Sequence, residues 1–99
     1  MSTYDPSALC ALVVDDNHYH RGITTDILRT IGVGRVVQAA TGPEGWDQVI
    51  IAKPDCIFVD FLSGQFDGLD FIWRVRKTEE SPNRAVSVFM LTARGARMD

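Results

Sequence analysis

Two short apolar runs that each end in acid constrain this chain more than any other feature. Cys10-Ala11-Leu12-Val13-Val14 runs into Asp15-Asp16, and Cys56-Ile57-Phe58-Val59 runs into Asp60. A strand with one wet face would alternate apolar and polar residues. An unbroken run instead suits a strand covered on both faces within a parallel sheet.

The segments between and after these runs support that reading. Ile23, Ile27, Leu28 and Ile31 recur at helical spacing and are followed by Gly32 and Gly34 as a stop signal. Arg35 to Ala39 reads as a second strand. Thr41-Gly42-Pro43-Glu44 has the T-x-x-E form of a capping box, opening a helix whose inner face is Trp46, Val49 and Ile50. Pro54 ends that helix ahead of the second acidic run. A Gly-rich, polar loop from Leu62 to Gly68 leads into a third helix that turns Leu69, Ile72 and Val75 inward and reaches to about Lys77. Glu79 to Asn83 reads as a surface loop, and Val86-Ser87-Val88-Phe89-Met90-Leu91 is a fourth apolar run, ending at Thr92. Alternating strands and helices predict an α/β fold, a doubly wound parallel sheet with right-handed crossovers and helices on both faces.

Composition narrows the function classes. With 99 residues the chain holds one domain, residues 1–99, and its 45% hydrophobic and 23% charged content is that of an ordinary folded protein. A formal net charge of −3 with scattered basic residues gives no footprint for nucleic acid or an anionic membrane. No apolar run approaches the roughly 20 residues of a spanning helix, and Met1 to Pro6 lacks a signal-peptide layout, so a cytoplasmic location is expected. Cys10 and Cys56 each begin an apolar run and are expected to be buried thiols, not a disulfide.

In an open parallel sheet, ligands bind outside the carboxyl ends of the strands, where Asp15, Asp16, Asp60 and Thr92 all fall. Carboxylates gathered there repel one another, and a hard divalent cation relieves the repulsion. Mg2+ accepts one or two carboxylates and keeps its remaining positions for water and phosphate oxygens. An aspartate beside such an ion is a competent nucleophile toward an activated phosphoryl group. Asp60 stands alone at its strand end and is better placed for that role than the paired acids.

Three motifs in this order and spacing resemble the receiver domain of response regulators: Leu12-Val13-Val14-Asp15-Asp16-Asn17, then Ile57-Phe58-Val59-Asp60 with Asp67-Gly68, then Met90-Leu91-Thr92-Ala93. The resemblance covers about residues 9–93. It implies a flavodoxin-like receiver fold with strand order 2-1-3-4. It also implies that Asp60 accepts a phosphoryl group from a histidine kinase or phosphotransfer protein and that a downstream effector reads the result. In the metal site it makes Asp16 a direct Mg2+ ligand, Asp15 a partner acting partly through water, and Asp60 and the backbone carbonyl of Leu62 the remaining protein ligands. Thr92 would hydrogen-bond the phosphoryl group and act as the switch, beside a small Ala93. Asp67-Gly68 would shape the turn into the third helix.

The sequence departs from the family pattern in two places. Ser63-Gly64 replaces the usual Met-Pro pair after the acceptor, which adds backbone freedom. The sequence given ends eight residues after Leu91, so a further helix, a fifth strand ending in lysine and a last helix are not in it. Lys53 and Lys77, at helix ends, are on the wrong side to take that lysine's place. The fourth strand is then expected to be an open edge, and a homodimer could supply the missing layer.

Other readings compete on particular residues. A pseudo-receiver that binds partners without being phosphorylated is the main alternative. An aspartyl phosphatase would want a second Asp two residues after Asp60, where Leu62 stands. His18 and His20 near Asp15 suggest a transition-metal site, but residues two apart on a helix do not share a face, which favours surface or outer-sphere roles. Gly32-Val33-Gly34 follows a helix and is read as its stop, not as a dinucleotide loop. Trp46, Phe71 and Trp73 are read mainly as packing residues.

Overall fold

A computed structural model describes residues 5–60 and 68–91. After a 3-10 turn at Pro6–Ala8 come β1 (Cys10–Val14), α1 (His18–Thr30), β2 (Arg35–Ala39), α2 (Gly42–Ala52), β3 (Cys56–Asp60), α3 (Gly68–Lys77) and β4 (Ser87–Leu91). The strands form one sheet in the order β2-β1-β3-β4, and every pairing is parallel. This is the expected α/β arrangement and strand order.

Alternation along each strand divides the core in two. Leu12, Val14, Ile57 and Val59 face α2 and α3, where they pack with Trp46, Val49, Phe71 and Val75. Ala11 and Val13 face the other way, toward Leu28 of α1, with Val36, Cys56 and Phe58 packed alongside. The interior strands β1 and β3 therefore need apolar residues at successive positions. The same alternation separates the two cysteines: Cys10 shares the parity of Leu12, whereas Cys56 packs with the Ala11 cluster. Both are free thiols, and burial raises the pKa of each.

The helix boundaries follow from local chemistry. Asn17 caps α1, its side chain accepting from the His20 amide at 2.9 Å. At the other end Gly32 takes φ 101°. Its amide donates to the Arg29 carbonyl and the Val33 amide to the Leu28 carbonyl, a left-handed stop for which glycine is best suited. Gly34 has a different duty: a Cβ there would lie 1.9 Å from the Ser7 carbonyl oxygen, so the N-terminal turn can pack only against glycine. At α2 the Thr41 hydroxyl accepts from the Glu44 amide at 3.1 Å, and the Glu44 carboxylate accepts from the Ala40 amide at 2.9 Å. This is a capping box in function.

Packing corrects the inward faces read from periodicity. In α1 the buried residues are Thr25 and Leu28, while Ile23, Ile27 and Ile31 are exposed. In α2 Gly45 joins Trp46 and Val49 inside, and Ile50 is exposed. In α3 Phe71 and Val75 are buried and Leu69 is not. Each helix meets the sheet along a narrower stripe than its apolar residues describe. The close approach of Gly45 to Val14 and Phe71 sets the roll of α2. Trp46 and Phe71 are core residues and Trp73 is exposed. Arg74 lies over the Trp46 ring with its guanidinium carbon 4.3 Å from the centroid, shielding the outer edge of that side chain.

Candidate functional site

The register of the sheet assembles the site. Val14 pairs with Val59, so Asp15, one residue past the end of β1, stands beside Asp60 at the end of β3. The Asp15 amide donates to the Ala39 carbonyl at 3.0 Å, which extends the pairing with β2 by one step and fixes where the chain leaves the sheet. The Asp15 carboxylate then accepts from the Asn17 amide at 2.8 Å. Asn17 in turn caps α1, so the acidic turn and the helix start form one hydrogen-bonded unit.

Arg21 locks this unit from outside. Its Nη1 donates to the Asp15 carbonyl at 2.8 Å and its Nε to the Gln38 side chain at 3.2 Å. Its Nη2 lies 3.3 Å from His18 Nδ1. The guanidinium thus ties the β1–α1 turn to β2 and serves as scaffold.

Asp15 is 4% exposed, and its pKa is raised. Burial is the main cause; the Asn17 amide opposes it, Asp60 adds to it, His20 opposes it and Asp16 adds to it. A carboxylate held among other carboxylates in a desolvated corner is favourable only when positive charge is close. Asp15, His20 and Asp60 each offer a ligand atom, and these atoms all lie within 4.8 Å of one another. Asp16, half-buried, is outside that group of three but close enough to act on Asp15 electrostatically.

The expected site is therefore brought together in part. Asp15 and Asp60 meet and Asp16 stands beside them, whereas Leu62, Asp67, Thr92 and Ala93 lie outside the described residues. Lys53 caps the end of α2 and Lys77 is the last residue of α3, both at the helix ends remote from the carboxyl ends of the strands. The residue that sequence reasoning underrated is His20. His18 and His20 indeed do not share a face, since His18 turns to Arg21 while His20 turns to the acids. The two-apart spacing excludes a shared face for the histidine pair but does not exclude one histidine meeting Asp15 alone. The signal was Asn17: as N-cap it places His20 three residues on, in the first turn over the strand ends.

With this geometry in view, the comparisons with known proteins identify the family. The model of the response regulator receiver domain matches residues 11–99, and the chain belongs to that family. It is 35% identical over 77 residues to a protein-glutamate methylesterase/protein-glutamine glutaminase of Halobacterium salinarum, a match covering 78% of this chain and 22% of the relative. The chain thus spans about a fifth to a quarter of the curated relatives it matches. Among solved structures it resembles the N-terminal domain of a response regulator receiver protein from Methanoculleus marisnigri JR1, with TM-score 0.77 and 27% identity over 87% of this chain and 68% of the other. It also resembles the receiver domain of the histidine kinase CKI1 from Arabidopsis thaliana complexed with Mg2+ and BeF3−, with TM-score 0.75 and 26% identity over 89% and 70% of the two chains. Receiver domains are the phospho-accepting modules of two-component signalling, with an aspartate as acceptor and an acidic pocket that binds Mg2+. Among the described residues no helix is long and apolar enough to cross a membrane.

Proposed function

We propose that Asp60 is the phosphoacceptor of this receiver domain, in a Mg2+-dependent transfer from the phosphohistidine of a histidine kinase or phosphotransfer protein. The observation that carries this reading is the meeting of Asp15 and Asp60 at adjacent strand ends, with Asp15 buried and in need of a counter-charge. Asp15, Asp16 and Asp60, with the Leu62 carbonyl, would hold the ion. When bound, Mg2+ offsets negative charge on the phosphoryl oxygens.

The chain's own residues do the rest. An Asp60 carboxylate oxygen attacks phosphorus in line, and the O–P bond forms as the donor's P–N bond breaks. The leaving ring nitrogen keeps the electron pair and takes a proton from solvent. The hydrogen bond from the Asn17 amide and the Arg21 clamp keep Asp15 directed at the site, so that little reorganisation accompanies transfer. Thr92 would donate to the transferred group and pass its arrival to the surface that a downstream effector reads.

The test is intact mass after incubation with a small phosphodonor and Mg2+. One phosphoryl group should appear on the 99-residue chain and be absent from Asp60→Asn. A folded chain that gains no mass would refute the reading and leave the pseudo-receiver. A second copy of the chain is a separate proposal, as a cover for Phe89 and Met90, which are exposed on β4; light scattering that shows only monomer at high concentration would remove that partner.

A further inference from the structure

The Asp15–His20–Asp60 cluster differs in chemistry from a site made of oxygen ligands alone. We propose that His20 is a metal ligand of this site, and that the site therefore binds a borderline divalent transition ion, such as Ni2+ or Zn2+, through one imidazole nitrogen and two carboxylate oxygens. This rests on the acidic strand ends being a cation site, as in the reading above, but not on phosphorylation of Asp60.

Three observations support it. The first is reach: the three ligand atoms lie within 4.8 Å of one another, and bonds of about 2.0–2.2 Å to one ion set ligand atoms roughly 3–3.5 Å apart, so side-chain shifts of about an ångström bring all three into one shell. The second is fixed placement. The His20 amide is held by the Asn17 side chain at 2.9 Å, and the turn beneath it is held by Arg21 and the Asn17 amide. The third is selectivity within the sequence: His18, two residues away, is engaged with Arg21, so only one of the two histidines is offered to the acids. Imidazole is a good ligand for Zn2+, Ni2+ and Cu2+ and a poor one for Mg2+, which prefers oxygen. Three protein ligands leave coordination positions for water or phosphoryl oxygens, so the ion would not block the acceptor.

Affinity order alone cannot decide this, because divalent transition ions outbind Mg2+ at most sites. The deciding quantity is dependence on His20. Calorimetric titration of the 99-residue chain with Ni2+, Zn2+ and Mg2+ should show one site, with His20→Ala weakening Ni2+ and Zn2+ by at least about tenfold and changing Mg2+ by less than about twofold. His18→Ala should match the wild type. On the wild type itself, so that folding of a variant cannot confuse the result, Cu2+ loading should give nitrogen hyperfine coupling in its electron paramagnetic resonance spectrum. Ni2+ affinity unchanged in His20→Ala, or a Cu2+ spectrum without nitrogen coupling, would overturn the proposal. If phosphoryl uptake with Mg2+ persists in that case, the phosphoacceptor reading stands while this one falls. Loss of phosphoryl uptake with His20-dependent metal binding intact would show the reverse.

Discussion

β1 and β4 are both five-residue parallel strands of one sheet, and both are mostly apolar, with Ser87 the one polar residue between them, yet they live in different environments. Ala11, Leu12, Val13 and Val14 of β1 are at most 1% exposed, whereas Phe89 and Met90 of β4 are 49% and 54% exposed. β1 has β2 on one side and β3 on the other, with helices over both faces; among the described residues β4 pairs with β3 alone. The difference teaches that hydrophobicity selects a strand but position in the sheet decides what that strand contributes. β1 carries the core and aims Asp15. Among the described residues β4 is an edge strand, with Phe89 and Met90 about half exposed.

Substitutions can break or sharpen this contrast. Leu12→Ala should have the largest effect, a loss of about 2–5 kcal/mol by urea unfolding, because it opens a cavity at the centre of the larger core cluster. Phe89→Ala should cost only about 1 kcal/mol, most of it from the lost stacking on Phe58, whose ring centroid lies 5.0 Å away. Equal losses at the two positions would erase the distinction.

At the acidic end of β1 the sign reverses. The Asp15 pKa is raised in the fold, so the folded state holds this proton to higher pH than the unfolded chain does. The stability linked to that proton is complete below the ordinary aspartate value of about 3.9 and is lost as pH rises through the folded value. In the presence of a chelator, Asp15→Asn should therefore melt higher than wild type at neutral pH, with the gain vanishing below about pH 3.9. A neutral-pH melting temperature lower than wild type would mean that the carboxylate is better solvated than its burial implies. The smallest effect is expected at Met90→Ser, within about 0.5 kcal/mol, since that side chain already meets solvent.

Much of this architecture is legible in the chain. Two apolar runs ending in Asp15 and Asp60 fix parallel strands and put acids at their carboxyl ends. Gly32 and the Thr41–Glu44 pair mark a helix end and a helix start by local hydrogen bonding, which needs no distant partner. The inward faces of the helices are less legible. Ile23, Ile27 and Leu69 satisfy the helical period as well as Leu28 and Val75 do, and only the roll of each helix on the sheet separates them. Gly34 looks like part of a stop signal, but its requirement comes from Ser7, far away in the chain.

The sequence by itself determined the strands, their acids and the helix caps, because these depend on neighbours a few residues apart. Only the tertiary structure decided that Leu28 of α1 is buried while Ile23 and Ile27 are exposed, and that His20 joins Asp15 and Asp60 while His18 does not. Those outcomes depend on the Val14–Val59 register and on the docking of the first turn of α1 over the strand ends, and both join residues that are distant along the chain.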